Sequence, residues 1–366
     1  MIFTISFGNP GPSVWRPLRE GVRFTSMILD SKFSRFAAVC LIGTSLQVIC
    51  PCNADAKKKP SGAVQGGPLP QLFPSDNWWN LDVSSAPLDA QSTATIDWIN
   101  NGGNRRLHPD FGGDSGEQAP NGLIYGMTYC TVPGTHPLSQ VTFDYDDESD
   151  HGAPGQPLGY PIPKEARKQT RWIEGGIKGG GSDGDRHMLI VDRDNNRLYE
   201  LYALQFKKKK WRAGSGAIYD LTTNDRRPDG WTSADAAGLA ILPGLVRYDE
   251  ANSTQPIRHA FRMTTRSTNG YVFPASHEAG DTAGAPPMGA RFRLKDGVDI
   301  SSYPDQVRRI FQAFKTYGLI VADNGSDFYI SGAYDVRWDN DILNPAFGDL
   351  HASDFEMIEL GWNPPI

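Results

Sequence analysis

The chain has 366 residues, 21% of them charged, with a formal net charge of −6. That length can bury a substantial core, and an acidic balance whose one cationic run is residues 207–210 excludes a broad basic surface, so nucleic acid is not an expected partner. Of the four cysteines, Cys40, Cys50 and Cys52 crowd near the N-terminus and Cys130 alone lies beyond, which excludes a disulfide framework.

Residues 1–56 read as an export signal, with Met27 the better start. Lys32 and Arg35 precede the apolar run 36–50, and Ala54-Asp55-Ala56 supplies an A-x-A cleavage pattern. Thr44, Ser45 and Gln47 interrupt that run, which is too short for a membrane span. Acylation at Cys50 is the weaker alternative, because Val48 and Ile49 are bulky for a lipoprotein site. Cleavage removes five basic and three acidic residues, leaving a secreted, extracellular or periplasmic monomer of 310 residues and net charge −8. Residues 57–71, rich in Pro, Gly and Lys, are expected to be a disordered tether, and 72–366 a single β-rich domain.

Within that domain, Ile96 and Ile99 predict a short helix over 92–101, and Trp78, Trp79 and Trp98 are heavy apolar anchors for a flap over the core. Strands are expected at 123–131 and 141–145. Residues 143–151, FDYDDESDH, are acidic but lack the EF-hand spacing, which favours a solvated loop over a calcium site. Gly180-Gly181-Ser182-Asp183-Gly184 fits G-x-S-x-G, yet a strand rather than a helix should follow, so a serine nucleophile elbow is rejected. Residues 186–204 predict a hairpin turning on Asn195-Asn196 with Asp194 opposite Arg197. One face then carries His187, Leu189, Val191, Glu200, Tyr202 and Leu204 and is the candidate cleft face; Met188, Ile190, Tyr199 and Leu201 face the core.

A strand at 217–221 and a short helix at 234–239 follow. Residues 257–264 and 270–277 alternate apolar with polar around Asn269-Gly270 and read as a second hairpin. Thr264 opposite Gly270 would set His259 and His277 on one face, roughly 7 Å apart as diagonal neighbours. A strand is expected at 289–295. A helix over 304–317 shows Val307, Ile310, Phe311 and Phe314 as one stripe. A third hairpin, 319–331, should turn on Asn324-Gly325 with positive φ at Gly325, before a turn or helix at 335–344 and a last strand at 355–361. Short strands punctuated by turns, with few helices, predict a mainly β fold: an antiparallel β-sandwich or jelly-roll with peripheral helices.

Several phrases stand together: Gly184-Asp185-Arg186-His187, RLYELY, GWTSADAAGLAILPGLVRYDE, IRHAFR, PPMGARFRLK, YGLIVADNGSDFYISG and Arg337-Trp338-Asp339. They resemble a group of secreted bacterial proteins described as hypothetical and frequent among soil bacteria. The resemblance covers roughly residues 74–360 and implies secretion and one folded unit, and it carries over no catalytic residue.

Three chemistries compete for the histidine-bearing faces. The first is acid–base cleavage of a polysaccharide, since histidine titrates unperturbed at about 6.5 and needs only a second polar group beside it. His187, His259 and His277 with Glu200 and Tyr202 are the candidate catalytic residues, and Arg186, Arg262 and Asp323 the candidate substrate contacts, the arginines suiting a uronate carboxylate. A two-carboxylate hydrolase drawing on Glu200, Glu174, Glu278 or Asp323 is its variant. The second is a metal centre of His259 and His277 with Glu278 or Asp281, although no H-x-x-x-H or H-E-x-x-H helix supports it. The third makes each histidine a hydrogen-bonded core residue. A non-catalytic carbohydrate-binding or adhesion protein is the remaining alternative, and the residues name no cofactor.

Overall fold

The computed structural model describes residues 62–113 and 124–364, so the export signal and Leu123 lie outside the described residues. Strand outweighs helix, as expected. The strands in chain order are β1 (Val64–Gln65), β2 (His108–Asp110), β3 (Tyr129–Val132), β4 (Val141–Phe143), β5 (Met188–Asp192), β6 (Arg197–Tyr202), β7 (Gln205–Lys207), β8 (Lys210–Ala213), β9 (Ser215–Asp220), β10 (Phe261–Thr265), β11 (Arg291–Leu294), β12 (Leu319–Asn324), β13 (Tyr329–Ser331) and β14 (Phe355–Met357). The α-helices are α1 (Ser92–Asn100), α2 (Tyr248–Ala251), α3 (Asp305–Thr316) and α4 (Asn340–Gly348). They form three sheets, ordered β1-β3-β5-β6-β9, β14-β11-β12-β10-β13-β2 and β4-β8-β7. Each sheet is mixed rather than antiparallel: β3 runs parallel to β5, β10 to β12, and β4 to β8.

The β5–β6 hairpin forms, with Asp192 opposite Arg197, two residues from the expected register. Asp192 accepts the backbone N–H groups of Asp194 and Asn195 and so closes a longer turn. Because side chains alternate with period two, a two-residue shift keeps every residue on its expected face. Both faces are buried, however. Leu189, Val191 and Leu198 pack with Phe261, Met263 and Phe292 of the six-stranded sheet. Met188, Ile190, Tyr199 and Leu201 pack under Phe143, Trp211 and Ala213 of the three-stranded sheet. Continuous apolar runs such as β5 are what a sheet covered on both sides requires. The expected cleft face is therefore core, except at the end where Tyr202 emerges and the buried His187 borders a cavity.

The stretch 257–277 is not a hairpin. Its first half is β10, buried along its whole length, with β12 parallel on one side and β13 antiparallel on the other. Beyond it, Gly270 bonds to Gly280 and Tyr271 bridges Met288, so the second half turns away from β10. Likewise β12 and β13 do not pair with each other; β10 lies between them. Gly325 therefore makes no type I′ turn, and its φ is not positive.

Helix α3 matches its stripe, with Val307, Ile310, Phe311 and Phe314 all fully buried. Gly318, at φ +74°, ends it, and a Cβ there would meet the Phe292 carbonyl at 2.3 Å. Residues 234–239 are turn rather than helix. The expected tether is ordered from residue 62: β1 pairs with β3, and Tyr129 donates to the Gly67 carbonyl. Trp79 is fully buried and Trp78 nearly so, while Trp98 lies beneath the Arg266 guanidinium, 3.5 Å from its ring centre.

Candidate functional site

A loop, residues 232–238, positions the site between the two larger sheets. Ser233 holds it by accepting from the Asp235 N–H, and Gly238 (φ +73°) allows the turn, because a Cβ there would lie 2.0 Å from the Ser276 hydroxyl. Two of its carbonyls hold two histidines. The Ala234 carbonyl lies 3.0 Å from His187 Nε2, just before β5, and the Ala236 carbonyl lies 2.8 Å from His277 Nδ1. The side chain between them, Asp235, turns the other way into a fork with Arg262 of β10, at 2.7 and 2.8 Å. Arg262 also donates to Asp323 of β12 (2.8 Å) and to the Ser331 hydroxyl (2.6 Å).

These groups back a cavity of about 450 Å³. His187, Tyr202, His277 and Asp323 line it, with Asp185, Glu148 and Tyr145. Four of the expected site residues thus meet, but they differ in what they can do. His187 is 2% exposed and both its ring nitrogens face acceptors: Ala234 O, and Glu174 Oε2 at 2.6 Å. Both must donate, so the ring is an imidazolium. Burial alone would depress it, and the Glu174 carboxylate more than reverses this, holding it at about 9. It is a fixed cation and not a base. His277 is half-buried; its Nδ1–H is given to Ala236, and Nε2 has no protein partner among the described residues. A lone pair held in one tautomer by a backbone carbonyl suits proton abstraction. Burial pushes Asp323 up to about 6 against the pull of Arg262, so it carries its proton in mildly acidic solution. The Tyr202 hydroxyl has no partner among the described residues, and its ring lies 5.5 Å from that of His187.

The other expected site residues fall elsewhere. Glu200 is fully buried and accepts the N–H groups of Ile241 and Leu242; burial raises it to about 7, and it anchors that loop within the core. Its place on the histidine-bearing face put it beneath the cavity rather than in it. His259 lines a separate cavity of about 550 Å³ beside Arg247 and Glu250. Its nitrogens are taken by the Ala260 carbonyl (2.8 Å) and Glu250 (3.0 Å). The shared His187–His259 cleft is therefore not formed: His187 lines one cavity, and His259, just before β10, lines another. Arg262 is 3% exposed with every terminal nitrogen committed, and Arg186, bonded to the Gly184 and Ala203 carbonyls, lines a smaller neighbouring cavity. Among the described residues, no three His, Cys, Asp or Glu side chains are placed to hold a metal ion, so the His259–His277 centre is not assembled.

Asp185, Glu148 and the Asp235 hub were missed. Glu148 belongs to the acidic run, but it turns inward because Thr232 N–H donates to it and Arg227 pairs with Asp150 at 2.5 Å. Asp235 had one signal, a lone acid among the small residues of SADAAG, which is costly to bury without a cation. Among the described residues, no helix is long and apolar enough to cross a membrane. Compared with known proteins, the chain matches no family model, no curated protein and no solved structure.

Proposed function

We propose that this cavity is the active site of a secreted glycoside hydrolase acting on a polysaccharide. The observation that carries the reading is one wall bearing two complementary groups: His277 with a free Nε2 and Asp323 held near 6. Asp323 gives its proton to the glycosidic oxygen as that bond breaks, and His277 Nε2 takes a proton from the water that forms the new bond at the anomeric carbon. Tyr202 and the exposed Tyr145 offer ring faces to a sugar. Elimination from a uronate is disfavoured, because it needs a cation on the sugar carboxylate, and the two cations behind this cavity, His187 and Arg262, are spent on Glu174, Asp235 and Asp323. The five- and six-stranded sheets, sharing one apolar core, are read as layers of a distorted sandwich with the cavity at one end.

The test is product release from a polysaccharide panel by the wild type, His277→Ala and Asp323→Asn. New reducing ends are expected with the wild type and should fall at least about a hundredfold in each variant, the usual scale for an acid or base. Binding without cleavage across the panel would leave a carbohydrate-binding protein, and unsaturated products would replace hydrolysis by elimination.

A further inference from the structure

The charge of the cavity is one-sided. Among the described residues, no Lys or Arg lines it. The two cations behind it are consumed: His187 gives both N–H groups to Glu174 and Ala234, and Arg262 is shared by Asp235 and Asp323. Asp185 is exposed and its carboxylate has no ion pair among the described residues, while the Glu148 carboxylate accepts the neutral Thr232 N–H and Arg227 goes to the Glu148 main-chain carbonyl instead. With one arginine serving two aspartates, the lining keeps an excess of negative charge even when Asp323 is protonated. Asp185 also lines the adjoining cavity of about 220 Å³, where Asp110, Glu174 and Asp183 continue the acidic wall beside Arg186. The two hollows thus share a carboxylate at their boundary, where a second sugar of a chain would lie.

Resting on the hydrolase reading above, we propose that the substrate is a cationic glycan, a polymer of 2-amino-2-deoxy sugars with free amines. A sugar ammonium brings three donors and a positive charge to Asp185 and Glu148, and the rings of Tyr145 and Tyr202 add attraction for a cation. In the larger cavity a uronate would meet like charge, and Arg186 of the adjoining hollow is already engaged by the Gly184 and Ala203 carbonyls, while an N-acetylated sugar would bring no charge to either carboxylate. Mildly acidic solution, in which Asp323 holds its proton, also keeps such amines charged.

The test is calorimetric binding of length-matched oligomers of glucosamine, N-acetylglucosamine and galacturonic acid, with spermidine as a sugar-free cation. The proteins are the wild type and the double variant Asp185→Asn/Glu148→Gln, checked for unchanged near-UV circular dichroism. Glucosamine oligomers should bind at least about tenfold tighter than the other two, a preference lost in the double variant and weakened by salt. Equal or tighter binding of the acetylated or acidic oligomer overturns the cationic substrate while leaving a carbohydrate site. Spermidine binding that needs both acids, with no oligomer bound, overturns the glycan reading and this substrate with it.

Discussion

Replacing Glu174 by Gln should change how stability depends on pH, and the size of the change can be worked from the His187 pair. The folded state holds the His187 imidazole at about 9 against an ordinary 6.5, which corresponds to about 3 kcal/mol of stability. The sign follows from the direction. A base raised on folding contributes fully below its unfolded value, and the contribution drains away as pH rises through its folded value. Wild-type stability should therefore lose about 3 kcal/mol between pH 6.5 and somewhat above 9 from this pair. Glutamine keeps the shape and can donate its amide to a neutral Nδ1 while Nε2–H still serves Ala234; the His187 backbone N–H, which Glu174 Oε2 also accepts, then loses its partner, a cost that does not vary with pH. Urea denaturation of both proteins at intervals from pH 6 to 10 gives two curves in which other titrations cancel. The gap between them should narrow by about 3 kcal/mol from the acidic end to above pH 9. Parallel curves with a constant offset would refute an ion pair at His187 and make it an ordinary neutral histidine.

Other substitutions separate architecture from chemistry. His259→Ala should leave the proposed glycan turnover intact but lower stability by about 1–3 kcal/mol in urea denaturation, because it strands the Ala260 carbonyl and one oxygen of Glu250, whose other oxygen keeps Arg247. Arg291→Met should cost a similar amount by the same assay: its buried guanidinium donates to the Trp78, Leu81 and Tyr317 carbonyls and ties residues 78–81 to β11. Gly318→Ala should be far more damaging than Gly325→Ala in thermal melts. The first combines positive φ with a 2.3 Å clash against backbone, whereas the second needs only a small adjustment of Thr264 at 3.3 Å.

Local pattern was legible and partnership was not. The stripe on α3, the β5–β6 hairpin and the strand character of β10 follow from periodicity, which reports what one element buries. Periodicity does not say which strand lies alongside. The alternation in 257–277 and the Asn-Gly at 324–325 both suggested neighbours in sequence, and in each case a central strand took the partner from elsewhere. The same limit governs the site. His187 and His277 were found because histidine on a strand-like face is conspicuous, yet their unequal roles depend on Glu174, Ala234 and Ala236, supplied by loops with no periodic signal. Glu200 and His259 were equally conspicuous and proved to be satisfied buried groups, because hydrogen-bond partners rather than residue type decide between a reagent and a strut.

The interleaving of the six-stranded sheet constrains the order in which the molecule can fold. One outermost strand, His108–Asp110, waits for Tyr329–Ser331, and that strand in turn pairs with β10, whose other edge is taken by β12. Pairings of such long sequence separation belong to slow folders, reaching the native state in milliseconds to seconds, because loop closure must precede any reward. A chain halted before residue 319 would hold Arg262 with neither Asp323 nor Ser331 to receive it. The wall that bears His277 and Asp323 is therefore among the last features to assemble, and refolding followed by recovery of the proposed turnover should lag behind refolding followed by the fluorescence of Trp211, which packs in the separate core on the other face of the five-stranded sheet.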